Sequence, residues 1–436
     1  MRVVVVGAGM AGLRSADAVR KSGFDGEITV VGAEPHMPYN RPPLSKDGIG
    51  AEFDPAQLPF RVARAASMSI AWRLGAPVIA ADLAARNVTL GDGSVLGWDG
   101  LVIATGVRSR RLDLPGPLAG RHAIRTLDDL VELRKDLVLA RRLVVVGGGF
   151  IGCEVAAAAR TRGLDVTVVE PEPLPMRRPL GDELAAELLR RHEGRGVRFR
   201  LGTAPVAFEG DSATNHGATN HGATNQGATN HGRVRAVTLT DGTTLEGDLI
   251  VESVGSLPNV EWLAGNGLDL ADGVACDGRL RVLAGDMGVL AARDDVVAAG
   301  DVARYPHPLL FGASRRIEHW TVATDTAKYA AARLARALSG AASGGGAAGA
   351  DPGDGGVFAA VPTFWSDQYD LRVQSFGVTG LSDVRILEGS LDGDVAVGYH
   401  HEGRLAGVVL IGLGGRYLHY RSEVAATVAA LTGAPR

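Results

Sequence analysis

Apolar and polar positions along the chain fall into three kinds of block. In the first, a short unbroken apolar run meets a set of glycines. Val3–Val6 leads into Gly7-Ala8-Gly9-Met10-Ala11-Gly12, and Leu143–Val146 leads into Gly147-Gly148-Gly149-Phe150-Ile151-Gly152. Apolar runs without alternation predict strands covered on both faces, as in parallel sheets. A helix is expected behind each set of glycines, to about Lys21 and about Arg162, and each helix is followed by another apolar run, "EITVVG" or "DVTVVE". Both blocks therefore read as strand, turn, helix, strand. Two later runs, Trp98 to Arg110 and Asp294 to Arg304, read as strands returning to the first unit and ending at Ala104-Thr105-Gly106 and Gly300-Asp301.

The second kind of block alternates. From Val357 onward, "LRVQSFGV", "DVAVGYHH" and "RLAGVVLIG" predict half-buried strands, with a closing helix from about Arg421, together a small α+β unit. The third kind has no periodicity. From Ala213 to Gly232 the pentapeptide ATNHG occurs four times, once with Gln226 in place of histidine. Such a polar, glycine-bearing stretch predicts a flexible loop, a hairpin extension between "VAFEGD" and "RVRAVTLTDGTTLEGDLIV". The stretch Ser343 to Gly356 is rich in glycine and alanine and reads as a boundary before the last unit.

Length and composition narrow the class. At 436 residues two or three domains are expected, and a net charge of -4 with 22% charged residues gives no support for nucleic acid or an anionic membrane as partner. Without an apolar stretch long enough for a span, or a cleavable signal, a cytoplasmic location is expected. Cys153 and Cys276 are the only cysteines and lack metal-like spacing, so neither a disulfide framework nor a metal site is expected. His216, His221 and His231 of the repeat would make a poorly preorganised metal site.

The glycines carry the chemistry. In such a turn Gly7 makes the tight bend, Gly9 lets a pyrophosphate approach the backbone and Gly12 lets helix and strand pack, while the helix amino terminus favours the negative charge. Glu34 lies 22 residues after Gly12, where a carboxylate can accept from the hydroxyls of an adenosine ribose. Gly147, Gly149 and Gly152 repeat the logic, with Glu170 18 residues past the last glycine. A carboxylate there favours a free 2'-hydroxyl, hence NADH over NADPH, although Arg177 and Arg178 could instead accept a phosphate. Gly300-Asp301 is open between a helix cap and a carboxylate on a polyol or ribose; its place in the series favours the latter. Two nucleotide sites in one chain imply a hydride relay, with FAD the usual partner of NADH on such a fold.

With these pieces in this order the chain resembles the FAD-dependent pyridine nucleotide-disulfide oxidoreductases, and among them the NADH-dependent ferredoxin and rubredoxin reductases that lack redox-active cysteines. The resemblance rests on "PYNRPPLSK", "GGGFIGCE", "AAGDVAR", "RIEHW" and "VPTFWSDQYDLRVQ". It implies an α/β fold with two Rossmann-like domains, FAD-binding at about 1–113 and 248–330 and NAD-binding at about 114–247, plus a small α+β domain at 357–436. The implied FAD site comprises Gly7, Gly9, Ala11, Gly12, Glu34, Arg41 and Lys46, Val78 at the adenine, Ala104, Thr105, Gly106 and Arg125. Gly300 and Asp301, the latter at the ribityl chain, complete it with Trp320 near the ring and Trp365 on the neighbouring face. The implied NAD site comprises Gly147, Gly149, Ile151, Gly152, Glu154, Glu170, Arg177 and Gly255.

Lys46, Glu154 and Trp320 are the implied catalytic residues. A fixed ammonium beside the flavin would stabilise negative charge on its reduced form, and pairing with Glu154 limits the cost of burying it. In disulfide-reducing relatives a thiol lies near the region matched here by "RPPLSK", where this chain has Ser45 and no cysteine nearby, which argues for electron export. The expectation is an NADH:ferredoxin reductase passing electrons through FAD to a [2Fe-2S] ferredoxin that serves a cytochrome P450 or Rieske oxygenase. Arg315 and Arg316 are candidates for docking it. The alternative is a flavoenzyme acting directly on a small organic substrate.

Overall fold

The computed structural model describes residues 1–60, 69–210, 232–285, 289–340 and 356–433. The ATNHG repeat and most of the glycine-rich stretch lie outside the described residues. Three sheets organise the rest. The first has six strands in the order Arg281–Ala284, Ala291–Ala298, Gly100–Ile103, Arg2–Val6, Glu27–Val31 and Ile70–Arg73. All neighbours are parallel except the pair at the Arg281 edge. Val3, Val4 and Val5 are fully buried at its centre, as an unalternating run requires. The helices Met10–Lys21 and Trp320–Ser339 pack on it and on each other.

The second sheet is parallel throughout, in the order Arg198–Leu201, Asp165–Glu170, Arg142–Val146, Leu249–Glu252 and Arg121–His122. Leu249–Glu252 pairs in register with Leu143–Val146, so the chain does not return to the first unit at 248 as expected. It returns just beyond, where Ser256–Pro258 pairs with Val107–Ser109. An apolar run such as "LIVE" suits the centre of either parallel sheet, and only pairing decides between them. Outside this sheet Pro205–Gly210, Val234–Leu239 and Thr244–Glu246 form an antiparallel meander.

The third sheet is antiparallel, ordered Thr363–Gln368, Leu371–Gly377, Arg404–Ile411, Val395–His401 and Asp383–Gly389. The helix Tyr417–Thr432 covers it, beginning four residues before the expected Arg421 because a 3-10 turn at Gly414–Arg416 feeds directly into it. Its other face closes on the second unit: Val373, Val397 and Tyr399 share one apolar cluster with Cys153, Leu184 and Leu188. Among the described residues no helix is long and apolar enough to cross a membrane.

Candidate functional site

The two glycine turns share one backbone design. Gly7 and Gly147 take φ of +117° and +104°, where a side chain would collide with the carbonyls of Ala104 and Ser253. Their N–H groups donate to Val31 and Val169 at 2.7 and 2.8 Å, tying each turn to its neighbouring strand. At Gly12 and Gly152 a Cβ would strike the carbonyl oxygens of Gly7 and Gly147, so helix and turn touch backbone to backbone. At Gly9 and Gly149 nothing lies within 4 Å of where a Cβ would stand. Each is a helix N-cap without a side-chain cap, with no acidic residue in the turn that follows. Free amides facing open space suit an anion.

One cavity of about 1550 Å³ runs past both turns, larger than the ~300–1,000 Å³ of a typical single-ligand pocket. Its wall holds most of the expected residues: Gly7, Gly9, Ala11, Glu34, Arg41, Lys46, Val78, Ala104, Thr105, Gly106, Gly300, Asp301 and Trp320 from the first unit, and Arg125, Gly149, Ile151, Glu154 and Gly255 from the second. Gly12, Gly147 and Gly152 stand behind the wall as packing glycines. The residues fit FAD and NAD(H): an open cradle at each turn, a carboxylate at the end of each adjoining strand, and cavity enough for two nucleotides.

Around the first turn the polar groups are tied together. Glu34 accepts from Tyr39 Oη and from Arg41 Nη2, both at 2.5 Å. Burial disfavours the charge of Arg41, but facing Tyr39 and Glu34 raises its pKa on balance. Arg125 Nη2 meets Asp301 Oδ2 at 2.9 Å. His319 also lines the cavity. Its Nδ1 is buried without a partner, and burial lowers its pKa to about 4 despite the Asp301 charge.

The second turn is more open where its helix begins, although Gly147 and Gly148 are buried. Gly149 and Ile151 are exposed, whereas Ala11 is buried. Glu170 Oε2 accepts from the Gly148 N–H at 2.6 Å and Oε1 from the Glu172 N–H at 2.9 Å, which holds the carboxylate against the turn, itself outside the cavity wall. Arg177, expected in the NAD site, stands outside the cavity wall. Its guanidinium donates to Asp182 at 2.5 Å, with Glu172 at 3.7 Å. Arg178 is held by Glu172 at 2.7 Å. A carboxylate two places after Glu170 and another four after Arg178 satisfy charges that the sequence pattern had left open for a phosphate.

Where the units meet, Glu154 is 4% exposed and receives three donors. Lys46 Nζ lies 2.9 Å from Oε1, Ser366 Oγ donates to Oε1 at 2.6 Å, and Ser45 Oγ donates to Oε2 at 2.5 Å. The expected Lys46–Glu154 pair is therefore present, with Glu154 buried and Lys46 half-buried, and the buried carboxylate is tolerable because its remaining lone pairs are also used. Beside it Trp320 Nε1 donates to Asn40 Oδ1 at 3.2 Å, and its ring meets that of Trp365 edge-on at 5.4 Å.

Neither thiol is placed for chemistry. Cys153 and Cys276 are buried, and burial pushes both pKa values up. Arg316, a docking candidate, is committed to Asp272 and Glu318 at 2.7 Å each, leaving Arg315 as the exposed one. Sequence reasoning missed Tyr39, Ser366 and Gln368. A signal existed for the last two: Phe364, Ser366 and Gln368 alternate with Trp365 and Asp367 along one strand and share a face.

The pyridine nucleotide-disulphide oxidoreductase family matches residues 1–327, and a reductase C-terminal family matches residues 363–432. The chain is 37% identical over 419 residues to the ferredoxin–NAD(+) reductase component of an anthranilate 1,2-dioxygenase system of Burkholderia cepacia, covering 94% of this chain and 91% of that protein. It is 34% identical over 397 residues to rhodocoxin reductase of Rhodococcus erythropolis, covering 91% and 82%. Among solved structures, the covalent putidaredoxin reductase–putidaredoxin complex contains a chain similar to it with a TM-score of 0.80 at 29% identity, covering 98% of this chain and 93% of that one.

Proposed function

This chain belongs to the pyridine nucleotide-disulphide oxidoreductase family, and from that premise we propose that it is an FAD-dependent NADH:ferredoxin reductase serving a cytochrome P450 or Rieske-type oxygenase. The observation that carries the reading is the single cavity joining two nucleotide cradles, with Lys46 and Glu154 paired at their junction and no thiol in the cavity wall. When bound, FAD supplies conversion of a two-electron donor's reducing equivalents into single electrons. A chain without a cavity thiol hands those electrons outward, and relatives named as ferredoxin reductase components of oxygenase systems support a small iron-sulfur protein as acceptor.

The chain's own residues bind, orient and balance charge. The amides behind Gly9 and Gly149 take the pyrophosphates, and Glu34 and Glu170 take the riboses. Lys46 supplies positive charge where negative charge develops, and Glu154 keeps that ammonium in place. Trp320 and Trp365 cover the rim. NADH is preferred over NADPH: Glu170 repels a 2'-phosphate, and Glu172 and Asp182 already hold the two arginines that would otherwise attract one.

Stopped-flow mixing of the flavin-loaded protein with NADH or NADPH, followed by cytochrome c reduction with and without a [2Fe-2S] ferredoxin, tests the reading. Rapid bleaching by NADH and ferredoxin-stimulated turnover are expected. A flavoprotein bleached by NADH that no ferredoxin stimulates would belong to the enzymes acting directly on a small substrate.

A further inference from the structure

Behind the junction a line of buried polar groups runs from Glu154 into the body of the protein. Ser366 and Gln368, both 0% exposed, lie on the edge strand of the last unit, and His192, also 0% exposed, lies near the end of the helix Asp182–Glu193 of the second. Gln368 Nε2 is 3.0 Å from Ser366 Oγ, and Gln368 Oε1 is 2.8 Å from His192 Nε2. Burying three uncharged polar side chains at the seam of two units is costly unless each is satisfied.

Glu154 dictates the direction of every bond in that line. A carboxylate only accepts, so the Ser366 hydroxyl hydrogen points to Glu154. Ser366 must then accept from Gln368, which places the amide nitrogen toward the serine and the amide oxygen toward the histidine. That oxygen only accepts, so His192 donates from Nε2, leaving Nδ1 the buried, unpartnered nitrogen. Burial also lowers the His192 pKa, in keeping with a neutral ring of fixed tautomer. Reversing any member would set two acceptors against each other.

We propose that Ser366, Gln368 and His192 are positioning residues for the Lys46–Glu154 pair, a one-way hydrogen-bond chain through which the last unit fixes the carboxylate at the junction of the two nucleotide cradles. The proposal rests on the reading of that junction as the site of flavin reduction. It does not depend on the identity of the electron acceptor.

Three flavin-loaded variants, Ser366→Ala, Glu154→Gln and the double variant, test it by stopped-flow reduction with NADH and by the midpoint potential of the bound flavin measured by dye equilibration without NADH. Losing one hydrogen bond to a charged group at the reacting centre is expected to slow limiting reduction by about 10-fold, with half-saturating NADH unchanged. Ser366→Ala should add nothing in the Glu154→Gln background, and it should move the potential in the same direction as Glu154→Gln.

A rate within about twofold of the parent, with only the melting temperature lowered, would mean that the line merely glues two units and would overturn the proposal, as would an equal slowing in both backgrounds. Should Ser366→Ala not accumulate as folded flavoprotein, His192→Leu and His192→Gln decide. Glutamine retains a donor toward Gln368, so it should reduce faster than the leucine variant, and equal rates would reject the chain. No ferredoxin is present in any arm, so failure here is distinct from failure of ferredoxin as acceptor.

Discussion

The two glycine turns have the same backbone and different surroundings. Both bend at a positive-φ glycine, both close helix against turn at a glycine with no room for a methyl, and both leave an uncapped helix end facing one cavity. The first is covered where its helix begins, at Ala11. The helix Trp320–Ser339 and Gly300 press on it, so that a Cβ at Gly300 would stand 2.9 Å from Ala11 Cβ, and Glu34 is bound by Tyr39 and Arg41. The second presents Gly149 and Ile151 to the outside, and its acid is held by backbone amides alone. If the covered turn holds the resident cofactor and the other the exchanging dinucleotide, covering would slow release at the first and exposure would permit it at the second.

The largest test breaks the symmetry outright. Gly12→Val forces a side chain into the Gly7 carbonyl and should yield protein that retains no flavin, seen as loss of visible absorbance. Gly152→Val makes the same collision at Gly147 and should yield yellow protein that dithionite bleaches and NADH does not. If both variants lose flavin alike, the division into resident and exchanging sites is wrong.

Acid provides a second, smaller effect, at the seam where the first region meets the last unit. His307, 2% exposed and bonded to the Ala360 carbonyl oxygen at 3.0 Å, has its pKa lowered to about 4 by burial, as does His319. A histidine with a depressed folded-state pKa contributes stability that is present above the unfolded value and is lost as pH falls toward the folded one. Melting temperature should therefore drop between about pH 6.5 and 4, by the equivalent of at most roughly 3 kcal/mol for His307. In His307→Gln that slope should be shallower. An unchanged slope would place the acid-sensitive group elsewhere.

The smallest effect sharpens the comparison at the two acids. Glu170→Ala should shift NADH/NADPH selectivity toward NADPH by about 10-fold, roughly 1.4 kcal/mol, with flavin content unchanged. Glu34→Ala should do the reverse, weakening flavin retention without touching selectivity. If Glu170→Ala leaves selectivity alone, Arg177 and Arg178 with their partners Glu172 and Asp182 set it.

Much of this was legible in the chain because it is local. Apolar runs ending in glycines force buried strands and tight turns wherever they occur, so both glycine turns and the acids ending the adjoining strands stand where the spacing puts them. Alternation in the last unit likewise predicts an antiparallel sheet. The departures share another cause. Leu249–Glu252 joined the second sheet rather than the first, Arg177 and Arg316 turned to nearby acids rather than outward, and Ser366 and Gln368 became partners of Glu154 and His192.

Each of those outcomes concerns which of several compatible neighbours a group finds, and neighbours distant in sequence are assigned only when the sheets stack. Backbone conformation near a glycine is a property of a few consecutive residues, so the amino-acid order by itself determined the two turns. Pairing, enclosure and the direction of a hydrogen bond between residues 212 positions apart belong to the packed whole. Only tertiary structure could decide them, because burial makes each unsatisfied polar atom costly and thereby selects a single arrangement.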